Sequence, residues 1–381
     1  MDIESRLNSF DPQVRKEALL EAKKMIDEGK IAVAEQSEIH NMHCHSFFSY
    51  NGYGYSPSYV VYLAKLKGFY AVGLVDFDVL DGVDEFLEAA ELLGVKAICG
   101  METRVYIEEL ADKEINSPGE PGIAYHLGCG FKTTAVPAEW KEFAADLKKR
   151  ANDRTRKLVE LVNGYLAPAA IDFDATAKEF TPFGNVTERH VCSAYRVSAE
   201  KYFANDTAKI AAFWAEKLKM ELADAEKLIT DPVKLEGQIR AKTMKKGGVG
   251  YVAPGPESFP TLKAMNEFIK GCGATPTLAW LNGLTPGEAD LETLLALHKK
   301  YGATAATLIP DRNFNLKDEA KNAPLVRELN RFVKTCDEQG FSLLAGTEMN
   351  APGQKLVDDF GNDILKPLMP SFVKGIDAMI K

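Results

Sequence analysis

The sequence predicts an α/β protein: a seven-stranded TIM-like β/α barrel that carries a helical insertion and an N-terminal helical extension. The first observation is a set of seven short apolar runs, near residues 39–43, 71–75, 96–100, 123–127, 276–280, 304–308 and 342–346. The second is that helical patterns follow most of these runs, as in parallel strands joined by crossovers. The third is that polar residues end nearly every run. A barrel collects functional groups at all of its strand ends, whereas an open sheet concentrates them at one switch point.

The chain divides into three predicted parts. Residues 1–38 form the extension, which contains an Asp-Pro pair suited to a helix start and apolar residues near helical spacing. Residues 39–186 and 256–381 form the barrel. Residues 187–255 are rich in Lys, Glu and Ala, have no strand signal and form the helical insertion subdomain. The extension allows two interpretations, packing against the barrel or pairing with a second copy in a homo-oligomer.

Composition and charge disfavour several classes of protein. The 381-residue chain has a formal net charge of −9, which disfavours a general binder of nucleic acid or of acidic membranes. No stretch is apolar and long enough to cross a bilayer, and the N-terminus has no apolar signal-peptide core. Six scattered cysteines without a Cys-x-x-Cys pattern predict reduced thiols and a cytoplasmic location. We therefore expect a small-molecule partner.

Potential metal ligands follow the first three apolar runs. His43 and His45 are two residues apart, so a strand would point both side chains to one face. Asp76 ends the second run, and Glu102 follows the third. An isolated His-x-His pair fits buried structural histidines as well as it fits a metal site. A buried carboxylate needs a partner, so a metal beside Glu102 is a better interpretation than a surface ion pair with Arg104.

Six short motifs occur in order along the chain: His43-x-His45, Asp76-Phe77-Asp78, Gly100-x-Glu102, His126, Arg189-His190 and Gly346-Thr347-Glu348-Met349-Asn350. This ordered set resembles the motifs of the PHP (polymerase and histidinol phosphatase) family. The resemblance covers about residues 38–135, 185–200 and 270–350, and the set is specific although each motif alone is weak. Members are distorted seven-stranded barrels that hold up to three metals and mostly hydrolyse phosphate esters. The resemblance therefore implies a distorted (β/α)7 barrel and a metal-dependent phosphoesterase.

The resemblance also implies a dinuclear centre of zinc, manganese or iron, which accept mixed imidazole and carboxylate ligands. Glu102 would bridge the two ions. The ligands of the first ion would be His43, His45, Glu102 and Glu348. Those of the second ion would be Glu102, His126 and His190. Glu348 departs from the family, whose members usually have Asp at that position.

The third metal of the family lacks its ligands in this chain. Its three histidine positions correspond to Asn51, Phe77 and Asn350. All three belong to one site, and no ligand of the other two ions is lost. Random decay of an inactive enzyme would not select one site in this way, so we predict two metals.

The implied reaction is attack on phosphorus by a metal-bound water held by Glu102 and Glu348. Asp76 would orient ligands or waters, or alternatively cap the helix that follows it. Arginines would bind the remaining phosphoryl oxygens through their forked donors, the alternative for each being a surface ion pair. The candidates are Arg104, Arg189 and Arg312.

Three functions stay open at this stage. The first is hydrolysis of a small phosphomonoester, and the second is a metal-binding PHP module without turnover that has a structural or regulatory role. The third is an amidohydrolase-like hydrolase of carbon-centred bonds. Such enzymes generally have an Asp after the last strand, whereas here Asp358 and Asp359 come further along and are predicted to be helical. His298, beside two lysines in a predicted helix, is expected to face solvent.

Overall fold

Seven strands form one nearly closed sheet in the computed structural model, which describes residues 2–181, 183–316 and 318–380. Strand neighbours follow chain order, and an isolated bridge between Cys44 and Glu348 joins the two edges of the sheet. This confirms the predicted distorted barrel. The strands are β1 His40–Cys44, β2 Ala71–Phe77, β3 Lys96–Tyr106, β4 Ile123–Cys129, β5 Thr275–Trp280, β6 Ala305–Leu308 and β7 Ser342–Ala345.

One strand runs against the predicted direction. β4 is antiparallel to both β3 and β5, while all other neighbours are parallel. The fully described segment between β3 and β4 contains a 3-10 turn, Glu108–Leu110, and no α-helix. A parallel neighbour needs a crossover connection, usually an α-helix. The prediction of an all-parallel barrel is therefore wrong at β4.

Fourteen α-helices occur in the described part of the chain, and none of these is long and apolar enough to cross a membrane. Their bounds are α1 Ile3–Leu7, α2 Pro12–Asp27, α3 Pro57–Leu66, α4 Val83–Leu93, α5 Lys141–Leu166, α6 Phe173–Phe180, α7 Glu188–Tyr202, α8 Thr207–Leu218, α9 Leu222–Leu228, α10 Pro232–Thr243, α11 Leu262–Gly271, α12 Leu291–Lys300, α13 Glu319–Gln339 and α14 Met369–Ile380.

Side-chain caps determine where the first helices begin. The Asp11 carboxylate accepts from the Gln13 amide at the start of α2, and Pro12 is the first helical residue. Ser56 caps α3 in the same way by accepting from the Tyr59 amide. Each cap satisfies a backbone N–H group that the first turn of a helix leaves unpaired. The cap of α3 thereby fixes the end of the loop that leaves β1.

Contacts divide the chain into two compact units. The first comprises residues 1–145 and 256–381 and contains all seven strands. The second comprises residues 146–255 and is helical. It begins earlier than the insertion predicted at 187–255, because apolar residues of α5 such as Val162 belong to the same core as the later helices.

The N-terminal extension packs against barrel helices. Arg15 of α2 is buried, and its Nε donates to both carboxylate oxygens of Glu85 in α4 at 2.9 and 3.1 Å. The hydroxyl of Ser58 in α3 donates to the same carboxylate at 2.8 Å. These contacts support the packing interpretation of the extension, while a homo-oligomer stays a prediction.

Strand alternation separates the barrel interior from the surrounding helices. Register places Phe77, Glu102 and Leu127 side by side on β2, β3 and β4, so their side chains share one face. Leu127 belongs to the apolar cluster that fills the barrel, together with Val75 and other strand residues. Residues one position away, such as His126, face the opposite side of the sheet. This alternation decides which polar groups reach the candidate site.

Candidate metal centre

Three buried side chains meet beside the end of β1: His43 of β1, His45 just after it and Glu102 of β3. His43 and His45 project to the same side, with ring centroids 5.3 Å apart, as their spacing predicts. Their Nε2 atoms lie 3.1 and 3.2 Å from one atom, Oε2 of Glu102. All three side chains are buried. Only the nitrogen of His43 has the geometry of a hydrogen bond to that oxygen.

The electrostatics of this group favour a charged carboxylate. Burial alone would raise the pKa of Glu102, but the two imidazoles beside it lower that pKa to about 2. Burial opposes protonation of His43, yet the nearby carboxylates of Glu102 and Glu348 raise the pKa of its imidazole. Glu102 thus supplies a buried carboxylate charge that a cation beside the two imidazoles would neutralise.

The donor atoms of the three residues fit a single divalent ion. One ligand atom from each residue lies within 4.8 Å of the other two. Ligand atoms about 2.0–2.2 Å from a tetrahedral ion are separated by roughly 3.4 Å, close to the two contacts measured here. Across residues 2–181, 183–316 and 318–380, no second group of three histidine, cysteine or acidic residues meets the same distance limit. Two imidazoles and one carboxylate suit zinc, manganese or iron.

Asn41 and Gly346 join the two edges of the barrel beside this group. The Asn41 side-chain oxygen accepts from the backbone amides of His43 and Thr347, both at 3.1 Å. A Cβ atom on Gly346 would lie 2.4 Å from the His43 nitrogen, so only glycine allows this approach. Sequence reasoning missed Asn41. The available signal was an amide within a buried strand, which needs partners for all its polar atoms.

Glu348 lies nearby but is outside the three-residue group. Its carboxylate accepts from Arg312 Nη2 at 2.8 Å and from Gln354 Nε2 at 3.3 Å. Its backbone is left-handed, with φ of 69°, which is uncommon for a residue other than glycine. The structure therefore does not bring Glu348 to the ligand atoms of His43, and its role as a ligand stays a prediction.

His126 faces away from the centre, contrary to its predicted role. Antiparallel register pairs Leu127 with Glu102 and pairs His126 with Thr103, so the imidazole lies on the helix side of the sheet. Its Nε2 is 2.6 Å from the side-chain oxygen of Asn266 in α11. The prediction of His126 as a ligand is wrong. It used the position of His126 near a strand end and did not take into account which face of the sheet its side chain occupies.

His298 was predicted to face solvent, and this is also wrong. Its side chain is buried, and its ring centroid is 5.5 Å from that of His126. Among the described residues neither ring nitrogen of His298 has a hydrogen-bond partner, and Nδ1 of His126 has none. Burial lowers the pKa of His126 to about 4 and holds the pKa of His298 well below its usual range.

His190 and Arg189 belong to the helical unit. His190 is the third residue of α7, and its Nδ1 accepts from the Thr187 amide at 3.1 Å, which caps that helix. Burial lowers the pKa of His190 to about 3, so its imidazole is neutral, as a metal ligand must be. The roles of His190 as a ligand and of Arg189 in substrate binding stay predictions.

The two predicted substrate arginines of the barrel unit have acidic partners. Nη1 of Arg104 lies 2.9 Å from Glu120, and its guanidinium covers the ring of Phe259 at 4.3 Å. Arg312 binds Glu348, and 46% of its side chain is exposed. Arg312 is therefore the more accessible of the two, and substrate contact by either stays a prediction.

Asp76 organises the loop after β1. Its carboxylate accepts from the Ser46 amide at 2.7 Å and from the hydroxyls of Ser46 and Ser49 at 2.6 Å each. It does not cap the following helix, since α4 begins at Val83 behind Gly82 with no side-chain cap. Sequence reasoning missed both serines. Their position one and four residues after His45 was the available signal.

The positions that correspond to the third metal of the family have other contacts. The Asn51 side-chain amide donates to the carbonyls of His45 and Met349, both at 2.9 Å. The ring of Phe77 stacks on His45 with centroids 4.2 Å apart. The backbone amide of Asn350 donates to the side-chain oxygen of Gln354 at 2.7 Å. Asn51 and Phe77 thus support His45 and its loop, and two metals rather than three stays the prediction.

Residues 41–205 match the family model of the PHP domain. No curated protein matches the sequence at a significant level. Four solved chains match, and two of these resemble it over most of its length. One is an amidohydrolase from Chromobacterium violaceum with bound sulfate and without metal, at 17% identity and a TM-score of 0.53 over 89% of this chain and 99% of that one.

The second solved structure is a candidate metal-dependent phosphoesterase from Bifidobacterium adolescentis. It has 17% identity and a TM-score of 0.50, and the match covers 89% of this chain and 98% of that one. At this level of identity both structures support the fold alone. The match to the PHP domain is independent of them and includes His43, His45, Glu102, His126 and His190.

Proposed function

We propose that this chain, whose residues 41–205 match the PHP domain, is a metal-dependent hydrolase of a phosphate ester, specifically a small phosphomonoester. The observation that carries the proposal is the convergence of His43 Nε2 and His45 Nε2 on Glu102 Oε2 in a buried pocket. Two imidazole nitrogens and a carboxylate oxygen can replace part of the water shell of a divalent ion. The net charge of −9 argues against a long polyanionic substrate.

His43, His45 and Glu102 would hold one zinc, manganese or iron ion. When bound, that ion supplies Lewis acidity, which polarises a phosphoryl oxygen and lowers the pKa of water toward neutrality. Burial of the three residues keeps bulk water from competing with them and strengthens their attraction for the cation. Glu102 remains an anion throughout, because its pKa is lowered to about 2.

We also propose a second metal ion, with fewer ligands than the sequence implied. With His126 on the other side of the sheet, Glu102 remains as the predicted ligand of that ion in the barrel unit. Glu348, which was predicted as a ligand of the first ion, could add a second carboxylate only after releasing Arg312. Release would also free the guanidinium, whose forked donors suit two phosphoryl oxygens. We propose that phosphate binding by Arg312 and metal binding by Glu348 occur together.

Hydrolysis of carbon-centred bonds is the second candidate, and one observation favours it. Asp358 was predicted to be helical, but it lies in a non-helical stretch after β7 and is buried. Burial raises its pKa to about 7, and its Oδ1 accepts from the Asp311 amide, next to Arg312. A carboxyl group that titrates near neutral pH after the last strand is suited to general-base catalysis.

The test is a substrate panel on protein loaded separately with zinc, manganese and iron(II). The panel contains phosphomonoesters, phosphodiesters, amides and lactones, and turnover is compared with that of Glu102→Gln. The proposal predicts preferred turnover of phosphomonoesters that Glu102→Gln abolishes. Preferred turnover of amides or lactones, lost in Asp358→Asn, would move the assignment to the second candidate. Metal binding without turnover of any substrate would indicate a non-catalytic module.

A further inference from the structure

A serine lies between a buried carboxylate and one imidazole of the candidate metal centre. The Ser49 hydroxyl donates to Oδ1 of Asp76 at 2.6 Å, and the same oxygen is 3.5 Å from Nδ1 of His45. Ser49, Asp76 and His45 are all buried. The three groups form a chain that ends on the ring nitrogen opposite the one that faces Glu102.

The number of hydroxyl protons gives this chain a direction. A serine hydroxyl has one proton and can accept through its lone pairs. Because that proton goes to Asp76, the Ser49 oxygen can only accept from His45. The Asp76 carboxylate accepts three hydrogen bonds within 2.7 Å, from the Ser46 amide and from the hydroxyls of Ser46 and Ser49. A carboxylate only accepts, so the Ser49 hydroxyl is the donor to Asp76. Nδ1 of His45 therefore carries the proton, and Nε2 presents its lone pair.

We propose that Ser49 is a positioning residue that holds His45 in the Nδ1–H tautomer, with Nε2 free to bind a metal. The proposal deepens the proposed function and rests on it where metal binding is concerned. Ser49 supplies the polar constraint on the ring, and Phe77 supplies the apolar one by stacking on its face at 4.2 Å. Partners of this kind fix ring orientation and tautomer in metal-binding histidines.

The two imidazoles of the centre differ in this respect. Nδ1 of His43 is buried and has no hydrogen-bond partner among the described residues. His43 is held instead through its backbone amide, which donates to Asn41. His45 is thus the imidazole whose Nδ1 has a hydroxyl partner, while the ring of His43 is held through its Nε2 by Glu102. Loss of Ser49 should remove this difference.

Ser46 provides a matched control. Its hydroxyl also donates to Asp76 at 2.6 Å, and like Ser49 it is fully buried. Among the described residues its side chain hydrogen-bonds with Asp76 and the Phe48 amide and not with His45. Ser46→Ala and Ser49→Ala each remove one hydroxyl from the same carboxylate. They differ in whether the link to His45 is lost. Ser49→Thr restores the hydroxyl at that position.

The first measurement is zinc affinity, from competition with a chromophoric chelator. We expect Ser49→Ala to bind zinc about 10–100-fold more weakly, as when other outer partners of metal-binding histidines are removed. Ser46→Ala should stay within about threefold of wild type because it leaves His45 unchanged. Ser49→Thr should recover most of the loss. Equal weakening by Ser46→Ala and Ser49→Ala would overturn the proposal.

The second measurement needs no metal and is made on the wild-type protein. Histidine-selective nitrogen NMR of the metal-free wild-type protein at pH 8, with His45 assigned by comparison with His45→Asn, reports its tautomer directly. The proposal predicts a protonated Nδ1 and an unprotonated Nε2. A proton on Nε2 would overturn it. If the tautomer is as predicted but no metal binds, the proposed function fails while the assignment of Ser49 stands.

Discussion

Two pairs of buried histidines lie on opposite faces of the same barrel wall, and their surroundings give them different chemistry. His43 and His45 face a carboxylate, and the pKa of His43 is raised. His126 and His298 face an amide and each other, and the pKa of His126 is lowered to about 4. Burial is the same in both places. A neighbouring negative charge, and not burial, therefore makes a buried histidine pair suitable for a cation.

The largest expected effect comes from removing the charge that distinguishes the two pairs. Glu102→Gln keeps the shape of the side chain and should abolish tight metal binding. It should also lower kcat/KM at least about 1,000-fold, because a metal contributes several kcal/mol to the transition state and each 1.36 kcal/mol is tenfold. Metal content by mass spectrometry and turnover with the best substrate measure both effects.

His126→Gln is the matched control for that experiment. It removes an equally buried imidazole from the other face of the sheet and retains a side chain able to donate to Asn266. We expect wild-type metal content and turnover. Loss of metal in His126→Gln, or retention of metal in Glu102→Gln, would mean that the cation does not bind beside His43, His45 and Glu102.

A pH-dependent loss of stability is the next largest effect. It arises at the outer pair, His126 and His298, whereas the inner pair is His43 and His45. The unfolded chain protonates His126 near its ordinary pKa of 6.5, while the folded protein does so only near 4. The unfolded state thus binds more protons between these values, and the free energy of unfolding falls as pH falls from about 6.5 to 4. The contribution of His126 is at most about 3 kcal/mol.

Urea denaturation at pH 7.5 and pH 4.5 measures this contribution, with a chelator present to exclude metal. Wild type should lose more stability than His126→Gln between the two pH values. The difference between the proteins matters, since His40, His190 and His298 also have lowered pKa values and add to the loss in both. Equal losses would show that the outer histidine is not kept neutral by the fold.

We expect an intermediate effect at Arg312, which pairs with Glu348 near His43 and His45. Arg312→Gln removes the partner of Glu348 and an exposed forked donor. We expect KM for a phosphomonoester to rise about tenfold, which corresponds to about 1.4 kcal/mol, close to the lower end of the range for a hydrogen bond to a charged group. Arg104→Gln is the control, because Arg104 is engaged with Glu120 and Phe259. A larger rise in Arg104→Gln would exchange their roles.

The smallest expected effect is a gain of stability at the outer pair. Both ring nitrogens of His298 are buried without a partner among the described residues. His298→Leu replaces unsatisfied polar atoms with an apolar side chain and should raise the free energy of unfolding by about 1 kcal/mol at pH 7.5. His43→Leu should instead remove metal. A marked loss of stability in His298→Leu would indicate that its imidazole has an essential polar partner.

The sequence predicted all seven strands and the inner histidine pair for local reasons. Short apolar runs bounded by helical patterns identify strands, and a spacing of two residues places His43 and His45 on one face. Glu102 was predicted to join them because a carboxylate after a buried strand needs a partner. These inferences use only neighbours in the chain or the shared end of adjacent strands.

The role of His126 could not be derived from such local information. Side-chain direction in a strand alternates, so a change of one residue in register moves a side chain to the opposite face. The register of β4 depends on its antiparallel pairing, which follows from the connection between β3 and β4 and is absent from the strand's own pattern. The burial of His298 depends on the same packing, since its helix is rich in lysine at the neighbouring positions.

Anomalous diffraction from crystals grown with manganese or zinc tests the central claim most directly. We expect an anomalous peak among His43 Nε2, His45 Nε2 and Glu102 Oε2, at about 2.0–2.2 Å from each atom for zinc. We also expect no peak beside His126 and His298. A peak between His126 and His298, or metal-loaded crystals with no peak at Glu102, would contradict the account.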